Sequence, residues 1–443
     1  MKEKILELLE NKKFNELKQI LVEENIQDIA ILFEELNKEQ IILVYRLIPK
    51  DMAAEVFTYL EPEYQEKLIN MLSDEEIKNV VNNIYIDDMV DLIEEMPSNV
   101  VKRVLKNVKQ EQRKIINEFL NYPSDSAGSM MTIEFVDLKE NMTVEQAFQK
   151  IKKIGLNKET IYTCYVLDMS RKLIGLVSVR DLLLAEKDDS IKEIMETNII
   201  TVNTLDDKEE VVKKFEKYDF IALPVVDKEE RLVGIITIDD AIDVLQEETT
   251  EDFEKMAAMI PSEETYFRTG AFTHAKNRII WLLVLMLSAA ITGEIITYYE
   301  SAFATLPLLV AFIPMIMGTG GNCGSQASTL IIRGLAMDEI RLKDFWRALF
   351  KELKVSIIVG LVLFLINGIR IVVQYNDFKL AIVTGLALIA TVILAKLLGC
   401  ILPMVAKKIK LDPAIMAAPL ITTIVDTCSV LVYFSIAVVI MGI

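Results

Sequence analysis

A carboxylate stands inside an apolar run near the C-terminus: Asp426, within PLITTIVDTCSVLVYFSIAVVIM at 419–441. Burying such a charge at the centre of a bilayer costs about 2.5–3.5 kcal/mol on insertion scales, so an aspartate kept there is read first as functional. Thr422, Thr423, Thr427 and Ser429 surround it with small hydroxyls. That set suits a wet, cation-facing helix; polar glue between packed helices is the competing reading. A second run, PMIMGTGGNCGSQASTLIIRG at 314–334, holds four glycines among Asn322, Ser325, Gln326, Ser328 and Thr329. Either the glycines admit close helix approach, or the helix breaks and opens its carbonyls to a water-filled path. Asn322 and Gln326 share a face if the helix continues. Asp412 opens the last apolar segment, about 21 Å of helix before Asp426 at 1.5 Å per residue. Oxygen donors of this kind suit hard cations, and so sparse a set suits one that keeps its water, as Mg²⁺ does, better than a full Ca²⁺ cage. A lone histidine, His274, makes a His-built zinc or iron site implausible. Cys164, Cys323, Cys400 and Cys428 show no CxxC spacing and read as reduced, buried thiols. Glu294 lies near the outer end of an earlier apolar segment, where it snorkels or frames an entrance.

These groups need spans to carry them. The 443 residues suffice for about three domains. The net charge of −18 is the sum of −23 on residues 1–270 and +5 on residues 271–443. So acidic a chain disfavours nucleic acid. Five segments, 279–298, 303–332, 355–375, 380–406 and 414–441, are long and apolar enough to cross a bilayer. Lys and Arg crowd the 333–354 and 407–412 connections and are sparse in the alternate ones, which sets the N-terminus inside and the C-terminus outside. The acidic half then faces the cytoplasm. The start, MKEKILELLENKKF, is charged and amphipathic, unlike a signal peptide. No phosphate-binding loop or nucleophile–base pair appears, so an enzyme is not expected.

Residues 1–125 read as an all-α superhelical domain. Apolar residues recur at three and four, and DIAILFEEL, DMAAEVFTYL and DMVDLIEEM look like degenerate copies of a unit of roughly 20–25 residues. Asp51, Asp87 and Asp88, near helix starts, read as caps and dipole partners. Residues 126–245 change period and repeat after about 60 residues. MTIEFVDLKENMTVEQAFQKI matches METNIITVNTLDDKEEVVKKF, and YVLDMSRKLIGLVSVRDLLLA matches PVVDKEERLVGIITIDDAIDV. This α/β tandem resembles a pair of CBS domains, with signatures GLVSVRD (175–181) and GIITIDD (234–240). The resemblance implies an adenine nucleotide such as ATP, held by Ser178, Arg180 and Asp181 or by Thr237 and Asp240.

Residues 239–260 read as one connecting helix, within a 239–270 linker to the membrane domain at 271–443. Asp239, Asp243, Glu247 and Glu251 repeat at i, i+4 beside Glu248 and Asp252. Each like-charge step costs about 0.2–0.5 kcal/mol unless cations screen it. A solvated acidic helix is the plainer reading. Its place before the spans favours a divalent-ion clamp that lets go when the ions leave.

The order of parts resembles the MgtE family of magnesium channels and transporters, over essentially the whole chain. YPSDSAGSMMT (122–132), GGNCGSQAST (320–329) and LDPAIMAAPLITTIVD (411–426) carry the resemblance most specifically. It implies a homodimer in the lipid membrane that passes Mg²⁺ down its gradient between second and fifth spans. Asp426 would hold the hydrated ion, with Asn322, Gln326, Thr422 and Thr423 along the path. Cytosolic Mg²⁺ would close the path at Asp88, Asp91, Asp207, Glu209, Asp219, Asp240, Asp243, Glu248, Glu251, Asp252 and Asp412. The alternatives are the same fold carrying Ca²⁺, Mn²⁺ or Co²⁺, and a membrane-anchored nucleotide sensor that conducts nothing.

Overall fold

From residue 26 onward the N-terminal helices start at 26, 38, 50, 62, 74, 86, 98 and 110, a step of 12 residues. The unit read from sequence as 20–25 residues therefore holds two helices, and half the elements were hidden in it. Six of these eight helices are started by local chemistry. Asn25, Asn37 and Ser73 cap their helices with side-chain oxygens, while Pro49 and Pro97 stand at N-cap positions and Pro62 opens its helix. Alternate helices stack: Ile26–Phe33 on Lys50–Thr58, then on Asp74–Val81, then on Ser98–Asn107. The result is a two-layer superhelix with a continuous core from Ile5 to Phe119. That core runs on into the second repeat through Val202, Leu223 and Ile236.

The computed structural model describes residues 2–262, 266–267, 269–299, 307–416 and 418–442. Two compact units result, Met1–Leu245 and Gln246–Ile443. In the first, each repeat forms a three-stranded sheet. Val136–Lys139 runs parallel to Thr163–Leu167, which pairs antiparallel with Leu173–Ser178. Val202–Asn203, Ala222–Val226 and Leu232–Thr237 repeat the pattern. The segment leading into each repeat packs on the other repeat's hairpin: Met131 on Gly234 and Met195 on Gly175, with Thr132 bridging Ile235 and Glu196 bridging Leu176. A Cβ on Gly175 would lie 2.5 Å from the Met195 sulfur, so these glycines are required by close approach.

The connecting helix, Ile238–Met256, ends four residues before the expected 260; Ala258 turns the chain with φ 55°. Among the described residues five helices follow that are long and apolar enough to span a membrane: Ala271–Tyr298, Pro307–Ala336, Leu342–Tyr375, Phe378–Lys408 and Pro413–Met441, called here the first to fifth spans. The part of the expected second span at 303–306 lies outside the described residues. The glycine run sits in an unbroken α-helix, Ile313–Ala336, so close packing, not a helix break, explains Gly320, Gly321 and Gly324, while Gly318 has nothing within 4 Å. A Cβ on Gly320 would meet Thr391, Val425 and Ser429 at 2.7–2.9 Å, and one on Gly399 would lie 2.5 Å from the Gly324 carbonyl. Gly399→Val is therefore expected to cost about 1–3 kcal/mol or more by overpacking. Gly368→Ala, with nothing within 4 Å, is expected to leave the melting temperature in detergent unchanged.

Candidate cation-binding sites

Asp426 is placed by the fifth-span helix Ala418–Met441, whose Ile421 and Val425 pack into the second span beside Gly320 and Gly324. Its Oδ1 is buried and has no hydrogen-bond partner among the described residues. An unsatisfied carboxylate oxygen in apolar surroundings is costly and calls for a cation. The hydroxyls around it are partly committed: Thr422, Thr423 and Thr427 donate to Ala418, Pro419 and Thr423 carbonyls at 2.7–3.0 Å. Their lone pairs stay available to water. Thr427 also lies 2.7 Å from the Thr292 hydroxyl of the first span, and Ser325 of the second span lies 3.4 Å from Thr422. Asn322 and Gln326 share a face as the spacing requires, and that face is exposed in a single chain, away from the Gly320–Gly324 contacts.

A second concentration of acid lies within the first unit. Helix Ile86–Glu95 presents Asp87, Asp88 and Asp91, and the CBS tandem opposes them with Glu134, Glu159, Asp239 and Asp240. Tyr85 reaches the Lys158 carbonyl at 3.5 Å and joins the two surfaces. Burial, with Asp240 and Asp88 nearby, pushes the Asp87 carboxyl well above its ordinary value, and its Oδ1 has no partner among the described residues. Burial first, then Asp239 and Glu134, raise Asp88 to about 6. Burial, then Asp239, Asp240 and Asp88, raise Glu159 to about 8, and its Oε2 is likewise unpartnered. Asp240 rises to about 6 by burial, although Thr237 donates to it at 2.6 Å. Desolvation and then Asp88 and Asp240 act in the same direction on the more exposed Asp91. Like charges gathered this way are stable only when protonated or bridged by cations. Among the described residues no three acidic, His or Cys side chains converge on one ion position, so this face is an acidic field and not a preformed cage. Sequence reading found Asp88, Asp91 and Asp240. It took Asp87 for a cap, although Tyr85 holds the N-cap position and Asp87 is buried in the first turn. It missed Glu134 and Glu159, which carry no motif and meet the others only through the fold. The Asp51 side chain lies outside the described residues.

The remaining expected ligands do not converge in threes on one ion position among the described residues. Asp207 caps helix Lys208–Tyr218 by accepting from the Glu209 amide, Glu209 pairs with Lys213 at 2.9 Å, and Asp219 takes the left-handed C-cap position with φ 54°. Asp243 is exposed, while Glu248 and Asp252 are half-buried on the connecting helix. Asp412 and Glu251 are engaged by an ammonium: Lys255 lies 2.8 Å from Asp412 and also pairs with Glu251. Burial alone would lower the Lys255 pKa, but Asp412 and Glu251 raise it, so the lysine stays charged. A tethered cation thus stands where a divalent ion was expected. The Lys255 signal was available, four residues after Glu251 on one helix face.

The two nucleotide signatures differ in surroundings. Ser178 caps its helix through a reciprocal contact with Asp181, and Arg180 and Asp181 are exposed. Thr237 and Asp240, the matching pair, belong to the acidic face. Asp88, Asp239 and Glu159 act on the same acidic face as Asp240, so a phosphate at Thr237 and Asp240 would meet like charge.

The family model described as a divalent cation transporter matches residues 313–436. The model of the MgtE intracellular N domain matches 24–125, and the CBS domain model matches 127–188 and 191–247. The magnesium transporter MgtE of Bacillus subtilis is 36% identical over 370 residues, 84% of this chain and 82% of its own. That of Thermus thermophilus is 36% identical over 80% of this chain and 79% of its own. A crystal structure of the cytosolic domain of the Mg²⁺ channel MgtE in complex with ATP is 34% identical, covers 55% of this chain and all of that one, and superposes with a TM-score of 0.53. With its acidic helical domain, CBS tandem and spans matched in order, the chain belongs to the MgtE family of divalent cation transporters.

Proposed function

We propose that the protein carries Mg²⁺ into the cell down its electrochemical gradient, along a path past Asp426, and that cytosolic Mg²⁺ closes it. The observation that carries the reading is the buried, unpartnered carboxylate oxygen of Asp426, on the helix whose Ile421 and Val425 pack against the glycine run. The relatives named as magnesium transporters favour Mg²⁺ over other hard cations as cargo. The protein acts as a homodimer, in which the exposed Asn322–Gln326 face and Asp426 of two copies line one path. The soluble domains are cytoplasmic and the C-terminus outside. An inside-negative potential of 100 mV drives a divalent ion inward by about 4.6 kcal/mol.

The gate draws on the acidic face. With cytosolic Mg²⁺ low, Asp87, Asp88, Glu134, Glu159, Asp239 and Asp240 repel one another across the contact and loosen it. With Mg²⁺ high, ions between them draw helix Ile86–Glu95 onto the CBS pair. Mg²⁺ thus acts by binding one arrangement better than the other. Ser178, Arg180 and Asp181 hold ATP or a related adenine nucleotide, a reading supported by the ATP complex of the similar cytosolic domain.

The test is Mg²⁺ flux into proteoliposomes while Mg²⁺ is raised on the cytosolic face. Flux that shuts off in that titration is expected. Folded protein that passes no Mg²⁺ would overturn the reading in favour of a nucleotide sensor. Preferential passage of Ca²⁺, Mn²⁺ or Co²⁺ would change the cargo.

A further inference from the structure

Two opposite charges meet inside the membrane half, apart from any cation-binding motif. Glu352 lies on the third span and Lys396 on the fourth, with side chains only 10% and 6% exposed. The Lys396 Nζ is 3.7 Å from Glu352 Oε2, and that oxygen has no hydrogen-bond partner among the described residues. Ionisable groups at such sites are rare, because a charge stripped of water is costly unless paired. Lys396 follows Ala395 on the helix face that seats the second span. Thr391 abuts Gly320, the Ala395 carbonyl faces Gly324, and Gly399 closes on the Gly324 carbonyl and Ser328. Cys323, next to Asn322, packs in one cluster with Val392 and Ala395. On the other side the third span docks through Gly360 against Ile389 and Phe364 against Gly385.

We propose that the Glu352–Lys396 ion pair is a positioning pair for the cation path. It fixes the third span to the fourth, and so fixes the small-residue wall on which the glycine run and Val425, the neighbour of Asp426, are seated. The pair does not touch the ion. The inference rests on the reading of Asp426 and the glycine run as that path. The salt bridge neutralises both charges, so its polarity matters less than its presence. Loss of either partner leaves a lone buried charge that is relieved by moving one span, which shifts the wall.

The experiment measures Mg²⁺ flux per amount of folded, full-length protein against external Mg²⁺, for Glu352→Gln, Lys396→Met, the exchange Glu352→Lys with Lys396→Glu, and Asp426→Ala. Each single neutralisation is expected to raise the half-saturating Mg²⁺ concentration about tenfold, and the exchange to bring it back to within about threefold of wild type. A fall in maximal flux alone, with half-saturation unchanged, would mean that the pair only helps the domain fold and would overturn the proposal. So would an exchange variant as impaired as the singles. If the single variants do not fold, the folded exchange variant decides by its half-saturation. Normal flux in Asp426→Ala would instead sink the path reading itself, a result separable from those of the pair.

Discussion

Asp426→Ala is expected to lower Mg²⁺ uptake at least about 100-fold at equal amounts of folded protein, and Asp426→Asn nearly as much. At about 5 Å, one water away, a carboxylate and a unit charge interact by about 3 kcal/mol at an effective dielectric of 20, and a divalent ion doubles this. Losing even half of that costs a factor of about 100. The buried, unpartnered Oδ1 of Asp426 shows that no described protein group already uses this oxygen. Asparagine keeps the size and supplies oxygen, so its failure would assign the effect to charge and not to shape. Thr423→Val is expected to cost less than about tenfold, because its hydroxyl proton is already given to the Pro419 carbonyl at 2.8 Å. The check is a flux assay in proteoliposomes, with folding judged by size-exclusion elution. Asp426→Ala conducting within threefold of wild type would remove this residue from the path.

Much of this architecture was legible because it rests on short-range patterns. A charge inside an apolar run, glycines among amides, and a repeat of about 60 residues are visible without a fold. So are five apolar stretches, since each span announces itself by composition. The N-terminal helices were half-hidden for the opposite reason. At 8–10 residues each they are too short for periodicity to separate from their turns, and the capping residues Asn25, Asn37 and Ser73 were the better signal. The acidic residues carry a further ambiguity. A carboxylate that caps its own helix, as Asp207 does, is indistinguishable in sequence from one awaiting an ion. Glu134 and Glu159, in contrast, matter only because the fold carries them to Asp88 and Asp240. The Glu352–Lys396 pair went unread for a different cause: Glu352 looks like an ordinary flank of its span, and Lys396, a charge inside an apolar run, gains its meaning only when the packing shows the two buried together.

The acidic face makes the cytosolic part a pH-dependent structure with an unusual sign. Asp88 and Asp240 rise from 3.8 to about 6, and Glu159 from 4.5 to about 8. The folded state therefore holds more protons than the unfolded chain between about pH 4 and pH 8. Stability falls as pH rises through that window; the contribution is intact below the unfolded values and lost above the folded ones. Glu76, held at about 2 chiefly by its hydrogen bond from Arg46, has the opposite dependence, but its window lies below pH 4.5 and does not interfere. In chelator, a fragment of residues 1–256 is expected to lose at least about 5 °C of melting temperature between pH 5 and pH 8. Millimolar Mg²⁺ is expected to restore most of this at pH 8 and to do little at pH 5, where protons already occupy the carboxylates. Ligand at 100 times its dissociation constant stabilises by about 2.7 kcal/mol, so the rescue is measurable. Asp88→Asn, Glu159→Gln and Asp240→Asn together halve the set of six facing carboxylates, which weakens the repulsion and the ion sites at once. The triple variant is expected to melt higher than wild type at pH 8, to ignore Mg²⁺, and, in the full chain, to give flux that no longer responds to cytosolic Mg²⁺. A fragment that grows more stable from pH 5 to pH 8 without Mg²⁺ would contradict the raised carboxyl values. A triple variant still gated at wild-type Mg²⁺ concentrations would move the sensor off this face and onto the connecting helix, where Lys255 already occupies Asp412 and Glu251.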